Sequence, residues 1–451
     1  MKKYCATLWR RLVLRLERMD IIRLVILGYA SYVLLGWLLL CLPISQKLPG
    51  TGALNHLFTA TSAISTTGLV TVSTSGAYSG FGQGVIALLI QLGGLGYMTI
   101  GSFTVLSLSG KLSPLRQRVG ATALSLPEGF QIVAFVRLVV GFTLAIEAVG
   151  AVALYFVFLA HGTPQPGWSA VFHSISAFCT AGFGLHDDSF ESYRGDVALN
   201  VILTGLSYLG AIGFIVLSDA WDFLRGRKAW LTLTSKIILA STLWIAVIGT
   251  VLFFVDEPAV AGLPAGERWM ASLFQVMTAS TTVGFDTVPI GHLSMSSLFL
   301  ITLVMMIGAS PSGTGGGIKT TSFTALWAVM MSVIRRREEV TFLGRVIPEN
   351  RLRAATANFL FYCITLAAGL YALTLVEAAP LADQMFECAS AIGTVGLSRG
   401  ITAGLSDPGK LIIIALMFVG RVGPAVLGMA FFEPSRDFGK DEPIQSEDVA
   451  M

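Results

Sequence analysis

The sequence predicts an all-α integral membrane protein in which a spanning helix, a short half-apolar segment and a second spanning helix follow one another four times. Charged residues make up 13% of the 451-residue chain and hydrophobic ones 54%, whereas soluble domains carry about 25% charge. Mean hydropathy is +0.74. Long apolar segments occur at 22–43, 83–108, 131–160, 197–218, 236–255, 296–334, 354–377 and 410–432, and ~20 such residues cross a bilayer. Shorter stretches at 54–69, 168–183, 270–285 and 382–397 lie between alternate pairs. At about 16 residues these cannot span, and they read as re-entrant.

The opening segment "MKKYCATLWRRLVLRLERMD" is basic and amphipathic, and no small-residue cleavage site follows it. Residues 1–21 therefore read as a cytoplasmic surface segment retained ahead of the first span. Most of the 30 Lys and Arg fall in 1–23, 111–118, 225–236, 335–353 and after the last span. The positive-inside rule places these stretches, and both termini, in the cytoplasm. The loops beside the short segments carry instead Asp187, Asp188, Glu191, Asp256, Glu257 and Asp286, so the short segments enter from outside. The resulting units are 22–110, 111–220, 221–336 and 337–433, followed by a cytoplasmic tail, 434–451. Five cysteines (Cys5, Cys41, Cys179, Cys363 and Cys388) form no CxxC, which speaks against a disulfide framework or a zinc site. The five histidines fall in no ligand or triad spacing, and the chain is not expected to be an enzyme. His173, inside a short segment, reads as structural.

Stacked without gaps, the short segments read "FTATSAISTTGL", "FHSISAFCTAGF", "FQVMTASTTVGF" and "FECASAIGTVGL". All fit F-x3-[ST]-A-x2-T-x-G-[LF]. Their ends are Thr66, Thr67, Gly68 and Leu69; Thr180, Ala181, Gly182 and Phe183; Thr282, Val283, Gly284 and Phe285; and Thr394, Val395, Gly396 and Leu397. Helix packing alone gives no reason for a threonine two residues before every glycine. A potassium filter does. A dehydrating ion needs rings of oxygens, and backbone carbonyls of an extended Thr-x-Gly strand supply them. Glycine permits the left-handed backbone that aims successive carbonyls inward. The residues before each threonine form a short helix whose C-terminal dipole end favours a cation. Four membrane–pore–membrane units in one chain then form a pseudo-fourfold, potassium-channel-like pore.

With "QLGGLGYMTIGSF", "GASPSGTGGGIKTT" and "GRVGP", these segments resemble the KtrB-like membrane subunit of bacterial Ktr potassium uptake systems, in the Trk/Ktr/HKT superfamily, over nearly the whole chain. Trk-type relatives usually carry two further N-terminal helices; only Ile22–Pro43 precedes the first short segment here, which favours Ktr. Glycine at all four filter positions, Gly68 included, matches potassium-selective relatives, whereas sodium-selective plant members place serine at the first. The resemblance implies K+ held at the filter carbonyls and moving inward down the membrane potential. It further implies sodium as a candidate activator, a homodimer with one pore per copy, and a cytoplasmic nucleotide-binding (KtrA-like) regulatory ring. The implied location is the bacterial cytoplasmic (inner) membrane, with no organic cofactor in this chain and no nucleic-acid partner.

The stretch Gly308, Ala309, Ser310, Pro311, Ser312, Gly313, Thr314, Gly315, Gly316, Gly317 resembles a phosphate loop only superficially. Ile318 separates Gly317 from Lys319, which breaks G-x-x-x-x-G-K-[ST]. Ser296–Ile307 and Ser322–Ile334 are each too short to span, so together they read as one helix broken in mid-membrane. Irregular backbone at that depth is tolerated only where protein buries it or water reaches it. The segment 308–319 is therefore expected to be a glycine-rich gate beneath the filter. Arg421 lies about twelve residues into the last span, ~18 Å deep, where an arginine costs roughly 3 kcal/mol and must face a pore or a partner. The resemblance implies that it forms a cationic constriction there. Glycine clusters at Gly93–Gly96 and Gly210–Gly213 are explained by close helix approach or bending, and Glu147 is a mid-membrane carboxylate without an assigned partner. The alternatives are a Trk-type relative with a different regulatory partner, or an ion-coupled transporter of an organic solute. The latter needs inverted repeats, and here every short segment enters from the same side.

Overall fold

The computed structural model describes residues 21–47, 50–96, 132–227, 229–423 and 426–428. The basic N-terminus, the 111–118 loop, the second half of the 83–108 segment and the acidic tail lie outside the described residues. Four long apolar helices have the length of membrane spans: α1 (Ile21–Cys41), α4 (Ile132–Ala160), α8 (Leu233–Asp256) and α12 (Glu349–Val376). Each is followed by a short helix: α2 (Ala53–Ile64), α5 (Pro166–Phe178), α9 (Ala265–Thr281) and α13 (Leu381–Gly393). After each short helix comes a further apolar one. These are α3 (Gly80–Leu95), α6 (Val197–Ile212), α10 (Met295–Met306) and α14 (Asp407–Val422). Their starts are specified locally: Ser79, Asp196, Ser294 and Ser406 each accept a hydrogen bond from the backbone N–H three residues on, an N-cap that satisfies an orphan donor of the first turn.

The ends of these helices correct an expectation. By hydropathy alone 83–108, 197–218 and 410–432 read as continuous spans, with only 296–334 broken. All four stop early. α3, α6 and α14 terminate at Gly96, Gly213 and Gly423, with φ of 78°, 90° and 96°, backbone geometry that an L side chain resists. After Gly213 the chain turns by 96° into α7 (Phe214–Leu224). α10 stops at Ile307, and α11 (Thr320–Ile334) resumes after the glycine-rich stretch. A second, small correction concerns the all-α reading: Thr341–Phe342 pairs with Arg345–Val346 in a minimal antiparallel hairpin between α11 and α12.

The core is a ring of hydrophobic clusters rather than one centre. The cluster built on α1 and α3 takes in Phe172 of α5. That of α4 and α6 takes in Phe274 of α9, that of α8 and α10 takes in Phe386 of α13, and that of α12 and α14 takes in Phe58 of α2. Each motif phenylalanine is thus buried in the cluster of the preceding unit, and the fourth closes on the first. This cyclic packing explains why a large aromatic recurs at one place in all four copies.

Candidate functional site

The short helices bring the four Thr-x-Gly segments together by one repeated closure. The residue after each threonine (Thr67, Ala181, Val283 and Val395) donates its N–H to the carbonyl five residues back, at 2.8–3.1 Å. These acceptors are Ser62, Ser176, Thr278 and Ser390, the [ST] position of the motif. Such a closure needs a left-handed residue in between, and the threonines take that role, with φ of 50–61°. Glycine was the residue expected to carry left-handed geometry; the threonines carry it too. A β-branched residue there is a true outlier, costing about 1–3 kcal/mol, and such strain persists where surrounding structure over-determines it, commonly at functional sites.

The glycines close the ring. Gly68, Gly182, Gly284 and Gly396 all have positive φ, between 67° and 98°. A methyl at Gly68 would strike the Ala181 carbonyl oxygen, at Gly182 that of Val283, at Gly284 that of Val395, and at Gly396 that of Thr67. The order is cyclic, each glycine facing a carbonyl of the next segment, with no room for a Cβ at any of them. Ser62 Oγ and Ser390 Oγ also accept from the N–H of Gly68 and Gly396 at 3.1 and 3.0 Å.

The glycine-rich stretch lies directly against this ring. Thr314 reaches the first two threonines: its carbonyl accepts from Thr66 Oγ1 at 3.2 Å, and its hydroxyl is 3.0 Å from that of Thr180. Gly315 and Gly316 lie against the other two, since a Cβ on either would collide with Thr282 Oγ1 or Thr394 Oγ1 respectively. The apex Thr314–Gly316 therefore meets all four threonines, and only glycine fits at two of its three positions. Its neck is pinned by Gly308 N–H to the Ile318 carbonyl at 2.9 Å and Ile318 N–H to that of Met306 at 3.1 Å.

A second set of bonds ties the stretch to the α6–α7 bend. Breaking a helix leaves carbonyls on one side and N–H groups on the other without partners. Ser310 and Thr314 donate their N–H groups to the Ala211 and Gly210 carbonyls at 3.1 and 3.2 Å. Phe214 N–H donates to the Ser312 carbonyl at 3.3 Å, and Ile215 N–H to Ser312 Oγ at 3.2 Å. Each break satisfies the other. This contact was not legible in the sequence, where Gly210–Gly213 read only as a packing or bending cluster.

Two cations border the stretch. Arg421, near the end of α14, donates to Thr66 Oγ1 at 3.0 Å and more closely to the carbonyls of Thr314 and Gly93. Lys319 Nζ donates to the Gly315 carbonyl at 2.8 Å. A cavity of about 250 Å³ lies beside them, lined among others by Tyr29, Gly93, Tyr362 and Asn358. Glu147 acquires the partners it lacked in the sequence: Gln91 Nε2 donates to it at 3.1 Å and Cys179 Sγ approaches at 3.6 Å, which places it behind the second Thr-x-Gly segment.

The acids beside the second and third short segments are engaged. Asp187 accepts from Ser73 Oγ at 2.6 Å, and Asp188 accepts from Ser192. Burial, reinforced by Glu191 and Asp188, pushes the Asp286 carboxyl up to about 7 despite a hydrogen bond from Ser189.

The model of the TrkH family, cation transport proteins, matches residues 36–438. The chain belongs to that family. This TrkH-family chain is 35% identical to the Ktr system potassium uptake protein B of Vibrio alginolyticus, over 91% of each chain. It is 34% identical to the protein of the same name from Bacillus subtilis, over 94% of this chain and 96% of that one. The potassium/sodium uptake protein NtpJ of Enterococcus hirae is 34% identical over 90% and 92%. The crystal structure of the potassium transporter TrkH from Vibrio parahaemolyticus superposes with a TM-score of 0.74 at 18% identity, over 92% of this chain and 86% of that one, a likeness of fold. This TrkH-family chain is accordingly a multi-pass, predominantly helical membrane cation transporter and not an enzyme.

Proposed function

We infer that this chain takes up potassium through the ring of Thr-x-Gly segments and that the 308–319 stretch gates it. The observation that carries this reading is the cyclic glycine-to-carbonyl ring with a glycine-rich apex lying under all four threonines. Backbone carbonyls stacked in such a ring replace the water shell of a dehydrated cation. The carbonyl ends of four short helices add a favourable field for positive charge. On this reading the units are 22–110, 111–220, 221–336 and 337–433, and the basic loops and both termini belong in the cytoplasm, as the distribution of Lys and Arg along the chain supports.

Arg421 and Lys319 stabilise the shut arrangement. They bond to the carbonyls of Thr314 and Gly315 and present positive charge just below the ring, where a permeating cation has to pass. Arg421→Ala removes that tether and that charge together. K+ uptake at equal membrane abundance is expected to rise roughly tenfold, corresponding to about 1.4 kcal/mol of closed-state preference; uptake at or below that of the parent chain would contradict the role.

The relatives named as Ktr system uptake proteins support a multi-component system with a partner subunit; a cytoplasmic nucleotide-binding ring acting on a homodimer is what the resemblance of the motifs implies. The relative named for potassium and sodium supports sodium as a further cation to test, as activator or as cargo. The deciding experiment is complementation of a potassium-uptake-deficient bacterium by this chain, with and without a regulatory subunit of that type. Growth at low potassium, enhanced by the partner, is the expected outcome. Failure to grow with both proteins present in the membrane fraction would overturn the reading.

A further inference from the structure

The motif leaves one position unexplained, the residue directly after each phenylalanine. It is Thr59, His173, Gln275 and Glu387 in the four copies. All four are buried, at 1% exposure or less, yet all are polar and no two are alike. Packing does not call for a polar group at that place.

The last three share a contact: each reaches across to the chain leaving its own Thr-x-Gly segment, eleven or twelve residues on. His173 Nε2 accepts from Leu185 N–H at 3.1 Å. That nitrogen therefore carries no proton, and Nδ1, 2.8 Å from the Ser169 carbonyl, donates to it. The ring is neutral, with both nitrogens engaged. Gln275 Oε1 accepts from Thr287 N–H at 3.2 Å, and its Nε2 donates to the Val288 carbonyl at 3.4 Å. Glu387 accepts from Ser398 Oγ at 2.8 Å and from Thr402 Oγ1. The first copy differs: Thr59 lies toward the Tyr78 hydroxyl and makes no hydrogen bond to Thr71, twelve residues on.

We propose that His173, Gln275 and Glu387 are positioning residues that hold the outer half of the ion ring at its working width and thereby set ion preference. This rests on the reading of the Thr-x-Gly ring as a filter. Each segment is anchored at its inner end by the closure onto its short helix, which the backbone itself supplies. At its outer end the chain leaves the ring as irregular backbone, and in three copies a side chain from the same short helix provides the second anchor. A strand held at both ends keeps its carbonyls at a fixed spacing. A strand held at one end lets them close in on a smaller cation, and discrimination between K+ and Na+ weakens.

The test compares K+ and Na+ uptake into proteoliposomes by the full chain and by Gln275→Leu, Glu387→Leu, Glu387→Gln and, as a reference within the ring itself, Gly284→Ser. Both leucine variants should lower the K+ to Na+ ratio by roughly fivefold, a differential of about 1 kcal/mol between the two ions. Glu387→Gln should keep the parent ratio, because an amide bonds to the two hydroxyls as acceptor and as donor. An unchanged ratio in both leucine variants beside a lowered one in Gly284→Ser overturns the positioning role and leaves the filter standing. An unchanged ratio in Gly284→Ser as well overturns both. A Glu387→Gln ratio as low as that of Glu387→Leu also counts against positioning. The two leucine variants lie in different short helices, so if one fails to reach the membrane the other decides.

Discussion

Deleting residues 309–317 is expected to raise K+ flux at equal membrane abundance by at least about tenfold in the absence of a regulatory subunit, the result of removing some 1.4 kcal/mol of closed-state preference. The stretch is irregular backbone between two helices of 12 and 15 residues. Hydrogen bonds to Thr66, Thr180, the α6–α7 bend and Arg421 hold it against the ring. It has no Cβ where it meets Thr282 and Thr394, so nothing but its backbone lies across the ring there. Isotope uptake into proteoliposomes reads the change directly, and monodispersity in detergent confirms that the shortened chain folds. Unchanged or lower flux in a folded protein would mean that the stretch is structural and does not gate. The deletion also strips the Ala211 and Gly210 carbonyls and the Phe214 and Ile215 N–H groups of their partners. Some loss of thermal stability should therefore accompany the rise in flux.

Replacing Gly68 with serine should lower K+ over Na+ discrimination by roughly tenfold, a differential of about 1.4 kcal/mol between the two ions. At φ of 92° an L residue carries about 1–3 kcal/mol of strain. Its Cβ would also collide with the Ala181 carbonyl oxygen and crowd Gly182 Cα. The substitution relaxes by moving one carbonyl of the ring, and a ring with one displaced oxygen fits the larger ion less well. Competition of Na+ against K+ uptake measures it. Gly182→Ser, facing the Val283 carbonyl, should behave alike; full K+ preference in both variants would remove the glycines from the filter.

Much of this site is legible in the sequence because it repeats. Four gap-free copies of one motif place the threonines and glycines, and a count of residues against bilayer thickness exposes the broken helix around Gly313–Gly317. The left-handed threonines escape such reading, because propensity argues against a β-branched residue there and only the closure onto the short helix imposes it. Glu147 is visible as a buried charge in the sequence, but its partners Gln91 and Cys179 come from two other helices. The polar residues after each phenylalanine are visible as letters yet differ in type, so no pattern joins them until the hydrogen bonds do.

By itself the sequence determined the membrane class, the order of long and short segments and the residues of the ring, because hydropathy and repetition are properties of neighbours along the chain. Only the tertiary structure decided that the second helix of every unit stops at its small-residue cluster and that the glycine-rich stretch docks on the bend at Gly213. Satisfying a broken helix in a membrane requires polar partners from elsewhere in the chain, and which distant carbonyl faces which N–H is set by packing, not by local pattern.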